Sequence, residues 1–210
     1  MNLLSAATFL ILVSEAVVVK KALIVIAPGF EEIEAVTVFR VLKSGTVQPT
    51  LVRLEHVTDP MVKGANGLSI LTDGELNEDD ANGYDLIVLP GGAKGTEEMK
   101  KSDRLKRILG SFVQKKKYIG AICLAPAVLK HFNLLLNSIL TSYPSIENEM
   151  RQQYTYLEKS VVVDKQLITS RGPGTAMEFA LKLVELLTGK QNSDTVANNF
   201  IFDKRDEISP

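Results

Sequence analysis

The 210-residue sequence contains one cysteine, two histidines and no tryptophan. A single cysteine excludes both an internal disulfide framework and a cysteine-rich zinc site. The two histidines, His56 and His131, provide few ligands for a histidine-based metal site, so we expect no bound metal. If the protein performs nucleophilic chemistry, the thiol of Cys123 is the obvious candidate nucleophile.

The sequence also has no large excess of positive or of negative charge. Lysine and arginine number 24 and aspartate and glutamate 25, which leaves a net charge of −1. A near-neutral chain lacks the basic surface of a nucleic-acid-binding protein, so we expect no nucleic-acid partner. A content of 45% hydrophobic and 23% charged residues is typical of a globular domain and argues against disorder or a coiled coil.

Residues 1–19, MNLLSAATFLILVSEAVVV, carry one charged side chain, Glu15, and precede Lys20 and Lys21. Three interpretations stay open: a secretory signal, an organelle-targeting presequence, and an additional N-terminal helix. Small residues around Glu15 resemble a signal cleavage site, but no basic residue precedes the apolar run. Glu15 also leaves the run shorter than the roughly 20 residues that a membrane span needs, so we expect no stable span.

We therefore treat residues 1–19 as an apolar extension and residues 20–210 as a single domain. The length suits one compact domain. We expect the protein in the cytoplasm unless residues 1–19 direct it to an organelle or to secretion.

From Lys21 onward, short apolar runs alternate with longer amphipathic ones. This alternation predicts an α/β protein with a mostly parallel sheet and helices on both faces. The turn Gly64–Gly67 also predicts a hairpin between Met61–Lys63 and Leu68–Leu71. The runs that predict buried strands are Ala22–Ala27, Tyr84–Leu89 and Tyr118–Ile122, and those that predict long helices are Glu31–Ser44, Ser102–Lys117 and Pro173–Leu187.

Three strand ends carry residues that suggest a site: Pro28–Glu34, Pro90–Gly92 and Gly120–Pro126. In open α/β sheets, ligands bind beyond the C-terminal ends of the strands. We therefore expect these three segments to converge.

Cys123 follows a predicted strand directly and precedes a predicted helix, the arrangement of a nucleophile elbow. The small neighbours Gly120, Ala121 and Ala125 permit a tight backbone there. We expect the helix N-terminus to lower the thiol pKa. The alternative is a buried cysteine that only fills space.

A carboxylate is the better candidate partner for the thiol. His131 would lie about 12 Å along a helix from Cys123, and His56 is expected in a loop. Glu31 and Glu32 are explained by their favourable position at a helix N-terminus. Glu34 lies about one helical turn beyond the strand end and can point across it, which favours a role in proton transfer.

Two further segments border the predicted site. The backbone N–H groups of Gly92 and Leu124 could form an oxyanion hole. The segment Ser170–Thr175 superficially resembles a phosphate loop, but it lacks the Lys-Ser/Thr ending, which favours a structural loop.

The sequence resembles the ThiJ/PfpI superfamily, in the branch of the parkinsonism-associated protein DJ-1. The stretches that carry the resemblance are KALIVIAPGFEEIEAVT, YDLIVLPGGAKG, IGAICLAPAVL, LTSYP and LITSRGPGTAMEFALKLVELLTGK. The resemblance implies a flavodoxin-like three-layer sandwich, usually a homodimer. It implies Cys123 as the reactive thiol, Glu34 as its partner, and Gly92 and Leu124 as oxyanion donors.

The resemblance also implies a cofactor-independent activity. This would be a glyoxalase III-type conversion of methylglyoxal or glyoxal, or deglycase repair of early glycation adducts on proteins. The alternative that it implies is a redox-sensing stress protein or chaperone that works through oxidation of Cys123 without significant turnover.

The sequence departs from the family pattern at several positions. Tyr143 replaces a frequent histidine, and we keep it as a candidate substrate-binding residue. Arg40, Ser44 and Asn66 also differ from frequent family residues, which puts substrate contacts at the dimer interface in doubt. Leu124 follows the cysteine where the peptidase branch has histidine, which argues against peptidase chemistry.

Overall fold

A computed structural model describes residues 19–202. Our interpretations of the apolar extension therefore fall almost entirely outside the described residues, and the single-domain assignment of residues 20–210 stays a prediction. No helix within residues 19–202 is long and apolar enough to cross a membrane.

Eleven strands form one large and two small sheets within the described residues. The large sheet has the order β10-β11-β7-β6-β1-β2-β5, and only β10 runs antiparallel to its neighbour. The pairs β3–β4 and β8–β9 form the small sheets. The strands are β1 Lys21–Ile26, β2 Gln48–Arg53, β3 Met61–Lys63, β4 Ser69–Leu71, β5 Gly74–Glu75, β6 Leu86–Leu89, β7 Tyr118–Ile122, β8 Ile139–Leu140, β9 Thr155–Tyr156, β10 Val161–Asp164 and β11 Leu167–Ser170.

Helices cover both faces of the large sheet, which confirms the predicted three-layer α/β sandwich. Along β1, Leu23 and Val25 join the apolar core that includes α4 and α5, whereas Ile24 and Ile26 join the core that includes α1 and α7. The helices are α1 Glu32–Ser44, α2 Glu78–Ala81, α3 Ala93–Lys100, α4 Asp103–Gln114, α5 Pro126–His131, α6 Glu147–Met150, α7 Ala176–Thr188 and α8 Lys190–Asn199.

The predicted long elements are present with small shifts at their ends. The helix expected over Pro173–Leu187 begins as a 3₁₀ turn, Pro173–Thr175, and continues as α7. Sequence reasoning missed α3, because its buried face consists of Gly95, Thr96 and Met99 and gives little apolar periodicity.

Candidate active site

Cys123 stands at a strained turn between β7 and α5. Its φ of 65° lies in the left-handed region that side chains other than glycine rarely adopt. Two main-chain hydrogen bonds hold it: the Cys123 N–H donates to Ser170 O at 3.0 Å, and the Tyr143 N–H donates to Cys123 O at 2.8 Å. The predicted nucleophile elbow is therefore present. Strain of this kind persists only where surrounding contacts enforce it, and it is common at functional sites.

Gly91 brings the thiol and the Glu34 carboxyl together. Its N–H donates to Glu34 Oε2 at 2.7 Å. A Cβ atom on Gly91 would lie 2.6 Å from Cys123 Cβ, 3.0 Å from Cys123 Sγ and 3.0 Å from Glu34 Oε2. The sulfur and the carboxylate thus flank the same glycine, where no side chain would fit.

Helix α1 places Glu34 inside the protein. Glu31 caps the helix, because its side chain accepts the Glu34 N–H at 2.9 Å. Glu34 is completely buried, and its Oε1 accepts no hydrogen bond from the described residues. One carboxyl oxygen is therefore held by Gly91, and the other is free of hydrogen bonds from the described residues.

The pKa of the Glu34 carboxyl is raised to about 7, because burial disfavours the charged form and the nearby Glu31 charge adds to the effect. The Gly91 N–H and the Cys123 thiol act in the opposite direction. Near neutral pH, Glu34 is thus present both as the acid and as the carboxylate, which suits a residue that takes up and releases a proton.

The pKa of the Cys123 thiol is shifted upward, whereas the sequence predicted a downward shift. Burial, followed by the negative charge of Glu34, raises the pKa of Cys123 to about 12, although the N–H groups of Gly92 and Leu124 lower it. The prediction that the helix N-terminus makes the thiol acidic is therefore wrong for the resting site. Protonation of Glu34 removes its charge, so the thiolate forms most easily when Glu34 holds the proton, and the two groups titrate as a pair.

Gly92 and Leu124 lie close enough to the thiol for their N–H groups to lower the pKa of Cys123. Gly92 has a φ of 92°, and a Cβ atom there would lie 2.3 Å from Gly29 O, so no larger residue fits without a shift of the backbone. Their role as oxyanion donors stays a prediction.

Tyr143 borders the elbow through its main chain. Its side chain is 43% exposed and lies beside Gly172, where a Cβ atom would approach the ring to 3.3 Å. Its role in substrate binding stays a prediction. The histidines lie elsewhere: His56 contacts Glu98 at 3.2 Å, and the ring of His131 packs against Phe132.

The residues that depart from the family pattern make local contacts. Arg40 donates to the Ser44 hydroxyl, and its guanidinium lies 5.3 Å from the centre of the Phe200 ring. Asn66 donates from its backbone and side chain to the two carboxylate oxygens of Glu32, at 2.6 and 2.8 Å. Sequence reasoning explained Glu32 only by the helix dipole and missed this contact.

Segment Ser170–Thr175 is a structural loop at the site. The Thr175 hydroxyl accepts the N–H groups of Arg171 and Gly172, at 3.2 and 3.1 Å. A phosphate loop would offer N–H groups of this kind to its ligand. Here they are hydrogen-bonded within the loop. Within residues 19–202, no group of three or more His, Cys, Asp or Glu residues could hold a metal ion.

Fold and site together define an α/β protein of the flavodoxin-like class with a cysteine at a nucleophile elbow. The chain belongs to the DJ-1/PfpI family, whose model matches residues 20–186. Protein dj-1beta of Drosophila melanogaster is 39% identical over 183 residues, which cover 87% of this chain and 97% of that protein. The crystal structure of Drosophila melanogaster DJ-1beta superposes with a TM-score of 0.85 at 38% identity, covering 89% of this chain and all of the other.

Two further relatives bear on chemistry. The glutathione-independent glyoxalase DJR-1.2 of Caenorhabditis elegans is 34% identical over 178 residues, which cover 84% of this chain and 94% of that protein. A structure of Toxoplasma gondii DJ-1, described as oxidized, has a TM-score of 0.79 and 30% identity and covers 87% of this chain and 98% of the other.

Proposed function

We propose that this protein is a cofactor-independent, cysteine-dependent glyoxalase that converts methylglyoxal or glyoxal to a hydroxy acid. The observation that carries the proposal is the Cys123–Glu34 pair around Gly91. The candidate nucleophile and the candidate proton carrier lie against the same glycine. The name of the Caenorhabditis elegans relative supports the same reaction class.

The first step is attack of the Cys123 sulfur on the aldehyde carbon. As the carbon–sulfur bond forms, the thiol proton passes to Glu34, whose raised pKa makes it able to accept the proton near neutrality. The aldehyde oxygen gains negative charge. The N–H groups of Gly92 and Leu124 would stabilise that oxygen; their effect on the pKa of Cys123 supports this role.

Glu34 then returns the thiol proton to the aldehyde oxygen, which gives a hemithioacetal and restores the carboxylate. The carboxylate carries a proton from the former aldehyde carbon to the neighbouring carbonyl carbon, and a thioester of the hydroxy acid is left on the sulfur. Water hydrolyses this thioester, which releases the hydroxy acid and restores the Cys123 thiol. Burial of Glu34 supports both proton transfers, because a carboxyl group in an apolar setting exchanges protons close to neutral pH. We assign Tyr143 to hold the second carbonyl group. The same attack on early glycation adducts would make the protein a deglycase.

We also propose that the protein works as a homodimer, in the cytoplasm unless residues 1–19 direct it elsewhere. Three exposed apolar side chains support the dimer: Ile33 on α1, and Leu68 and Leu71 on the hairpin. These side chains are 56%, 53% and 62% exposed. The Glu32–Asn66 contact joins the helix and the hairpin that carry them, and an apolar surface that spans two elements is typical of an interface.

A second candidate is redox sensing through Cys123. The observation that favours it is the pair of N–H groups at the sulfur, which would also hold the oxygens of a sulfinate beside Glu34. Such a sensor would gain about two oxygens in mass under mild peroxide. It would show no significant turnover of dicarbonyls.

Turnover of methylglyoxal by the wild type, Cys123→Ser and Glu34→Gln tests the proposal. We expect the wild type to produce lactate and Cys123→Ser to fall to background. Glu34→Gln should lose about a hundredfold to ten-thousandfold in kcat, the usual contribution of a general acid–base group. Glu149→Gln, which changes a surface carboxylate paired with Lys130, is the control. Lactate formation that survives in Cys123→Ser would refute the glyoxalase proposal.

A further inference from the structure

The loop after β11 supports the elbow from both sides. On one side, Ser170 O accepts the Cys123 N–H at 3.0 Å. On the other, Gly172 packs against the ring of Tyr143, and the Tyr143 N–H donates to Cys123 O at 2.8 Å. Both main-chain bonds that hold the strained turn therefore depend on where this loop lies.

One hydroxyl group organises that loop. Thr175 Oγ1 lies 2.7 Å from the Ser170 hydroxyl, which in turn donates to Ser160 O at 2.7 Å. Thr175 Oγ1 also accepts hydrogen bonds from the N–H groups of Arg171 and Gly172. The Thr175 hydroxyl also lies 3.0 Å from Gly172 O. Its four contacts tie the residues on either side of the bend to each other, and the side chain is part-buried.

We propose that Thr175 is a positioning residue for the nucleophile. Its hydroxyl holds Ser170 and Gly172 in place, and these residues fix the backbone of Cys123 at its left-handed φ. The sulfur is thereby aimed at the N–H groups of Gly92 and Leu124. This inference deepens the proposed function and rests on it only for turnover, since thiol reactivity is independent of any substrate.

A purely structural role for Thr175 is the competing explanation, because the residue also precedes the first turn of α7. Loss of a helix cap lowers stability but leaves the folded site unchanged. Loss of positioning changes the ionisation of the thiol in protein that is still folded. Removal of aligned hydrogen-bond donors from a thiolate alters its pKa, so titration separates the two explanations.

The test compares Thr175→Val, which keeps the shape and removes the hydroxyl, with Thr175→Ser, which keeps the hydroxyl. Thr188→Val is the matched control, because it removes a hydroxyl that bonds Val184 O at the far end of the same helix. Alkylation of the single cysteine by iodoacetamide is followed by mass over a range of pH. Methylglyoxal turnover is measured in parallel.

We expect Thr175→Val to shift the pH of half-maximal alkylation by about half a unit or more. It should also lower kcat about tenfold or more with little change in KM, because misplacement of a reacting group is costly. Thr175→Ser and Thr188→Val should match the wild type. An unchanged alkylation profile in folded Thr175→Val would overturn the inference.

Ser170→Ala keeps the proposal testable if Thr175→Val does not fold, because it removes the hydroxyl partner while the backbone contacts of Thr175 remain. It should shift the alkylation profile in the same direction, and an unchanged profile would again overturn the inference. A wild type without turnover would refute the glyoxalase proposal alone, since the alkylation comparison would still decide the role of Thr175.

Discussion

The thiol of Cys123 and the carboxyl group of Glu34 are each difficult to ionise where they are buried. Their proximity couples the ionisation of one group to that of the other. Burial opposes charge on both Cys123 and Glu34, and the negative charge of Glu34 raises the pKa of Cys123, whereas the Cys123 thiol lowers the pKa of Glu34. The proton therefore stays within the pair in the resting site. In the proposed mechanism, a substrate that bonds to the sulfur would allow Glu34 to accept this proton.

The raised pKa of Glu34 makes a prediction about stability. The folded protein favours protonated Glu34, so its contribution to stability is fully present below its ordinary pKa of 4.5 and is lost as the pH rises through about 7. Glutamine cannot ionise. We therefore expect Glu34→Gln to be more stable than the wild type at pH 8, by up to about 3 kcal/mol, and close to it at pH 5.

Urea unfolding at the two pH values measures this difference. Glu149→Gln, at an exposed position, should show the pH dependence of the wild type. If Glu34→Gln kept the wild-type change in stability between pH 5 and pH 8, the buried carboxyl would not be the group that ionises.

At the scale of elements, the contact between α1 and the β3–β4 hairpin holds the hairpin at the edge of the candidate site. Glu32 reaches the hairpin turn and accepts two hydrogen bonds from Asn66. Gly64 permits this approach, because a Cβ atom there would lie 2.5 Å from Glu32 Oε1. The hairpin also accepts the Gly29 N–H through Lys63 O, so one carboxylate positions a whole element beside the loop that leads to Glu34.

We expect Glu32→Gln to loosen the hairpin. Although burial opposes it, hydrogen bonds from Asn66 lower the pKa of Glu32, so this carboxylate stabilises the fold above its ordinary pKa of 4.5. The contribution is lost as the pH falls through the lowered value. At pH 7 the variant should lose about 1–3 kcal/mol, because the glutamine amide faces the donors of Asn66.

Hydrogen exchange of residues 61–71 and urea unfolding would detect this change. Glu97→Gln, which removes a charge from an exposed pair with Lys100, is the control and should exchange like the wild type. A stability difference between Glu32→Gln and wild type that stayed constant below pH 4.5 would contradict the role of the ionised carboxylate.

At the scale of the whole molecule, the site lies where the parallel strands end, and the hairpin contacts the loop that leads to Glu34. A second copy seated on the exposed side chains of Ile33, Leu68 and Leu71 would exclude water from this side of the site. Assembly and chemistry would then depend on the same hairpin.

Leu71→Glu should disrupt the proposed homodimer, since it replaces an exposed apolar side chain of the hairpin with a charged one. We expect its dissociation constant to rise about thirtyfold or more, as measured by analytical ultracentrifugation, if Leu71 lies near the centre of the interface. Val163→Glu is the control on strand β10, at 41% exposure, and should leave assembly unchanged. A wild type that sediments as a monomer would refute the homodimer.

The sequence by itself determined the alternation of the long strands and helices and the elbow at Cys123, and it predicted Glu34 as the partner of the thiol; it missed helix α3. These inferences depend on local pattern. A buried run followed by small residues identifies a strand–helix junction, and the scarcity of histidine left a carboxylate as the better candidate. The alternation of strands and helices also predicted helices on both faces of the sheet, and the family resemblance added the flavodoxin-like class; the structure confirms both.

Tertiary structure alone decided the direction of the thiol pKa, the role of Glu32 and the contacts of the Ser170–Thr175 loop. Each depends on groups that are distant in the chain: Gly91 and Glu34 are 57 residues apart, and Asn66 and Glu32 are 34 apart. Desolvation and hydrogen bonding depend on what surrounds a group in space, and no local pattern records that. The position of Cys123 could thus be read from its neighbours, whereas its chemistry required the folded protein.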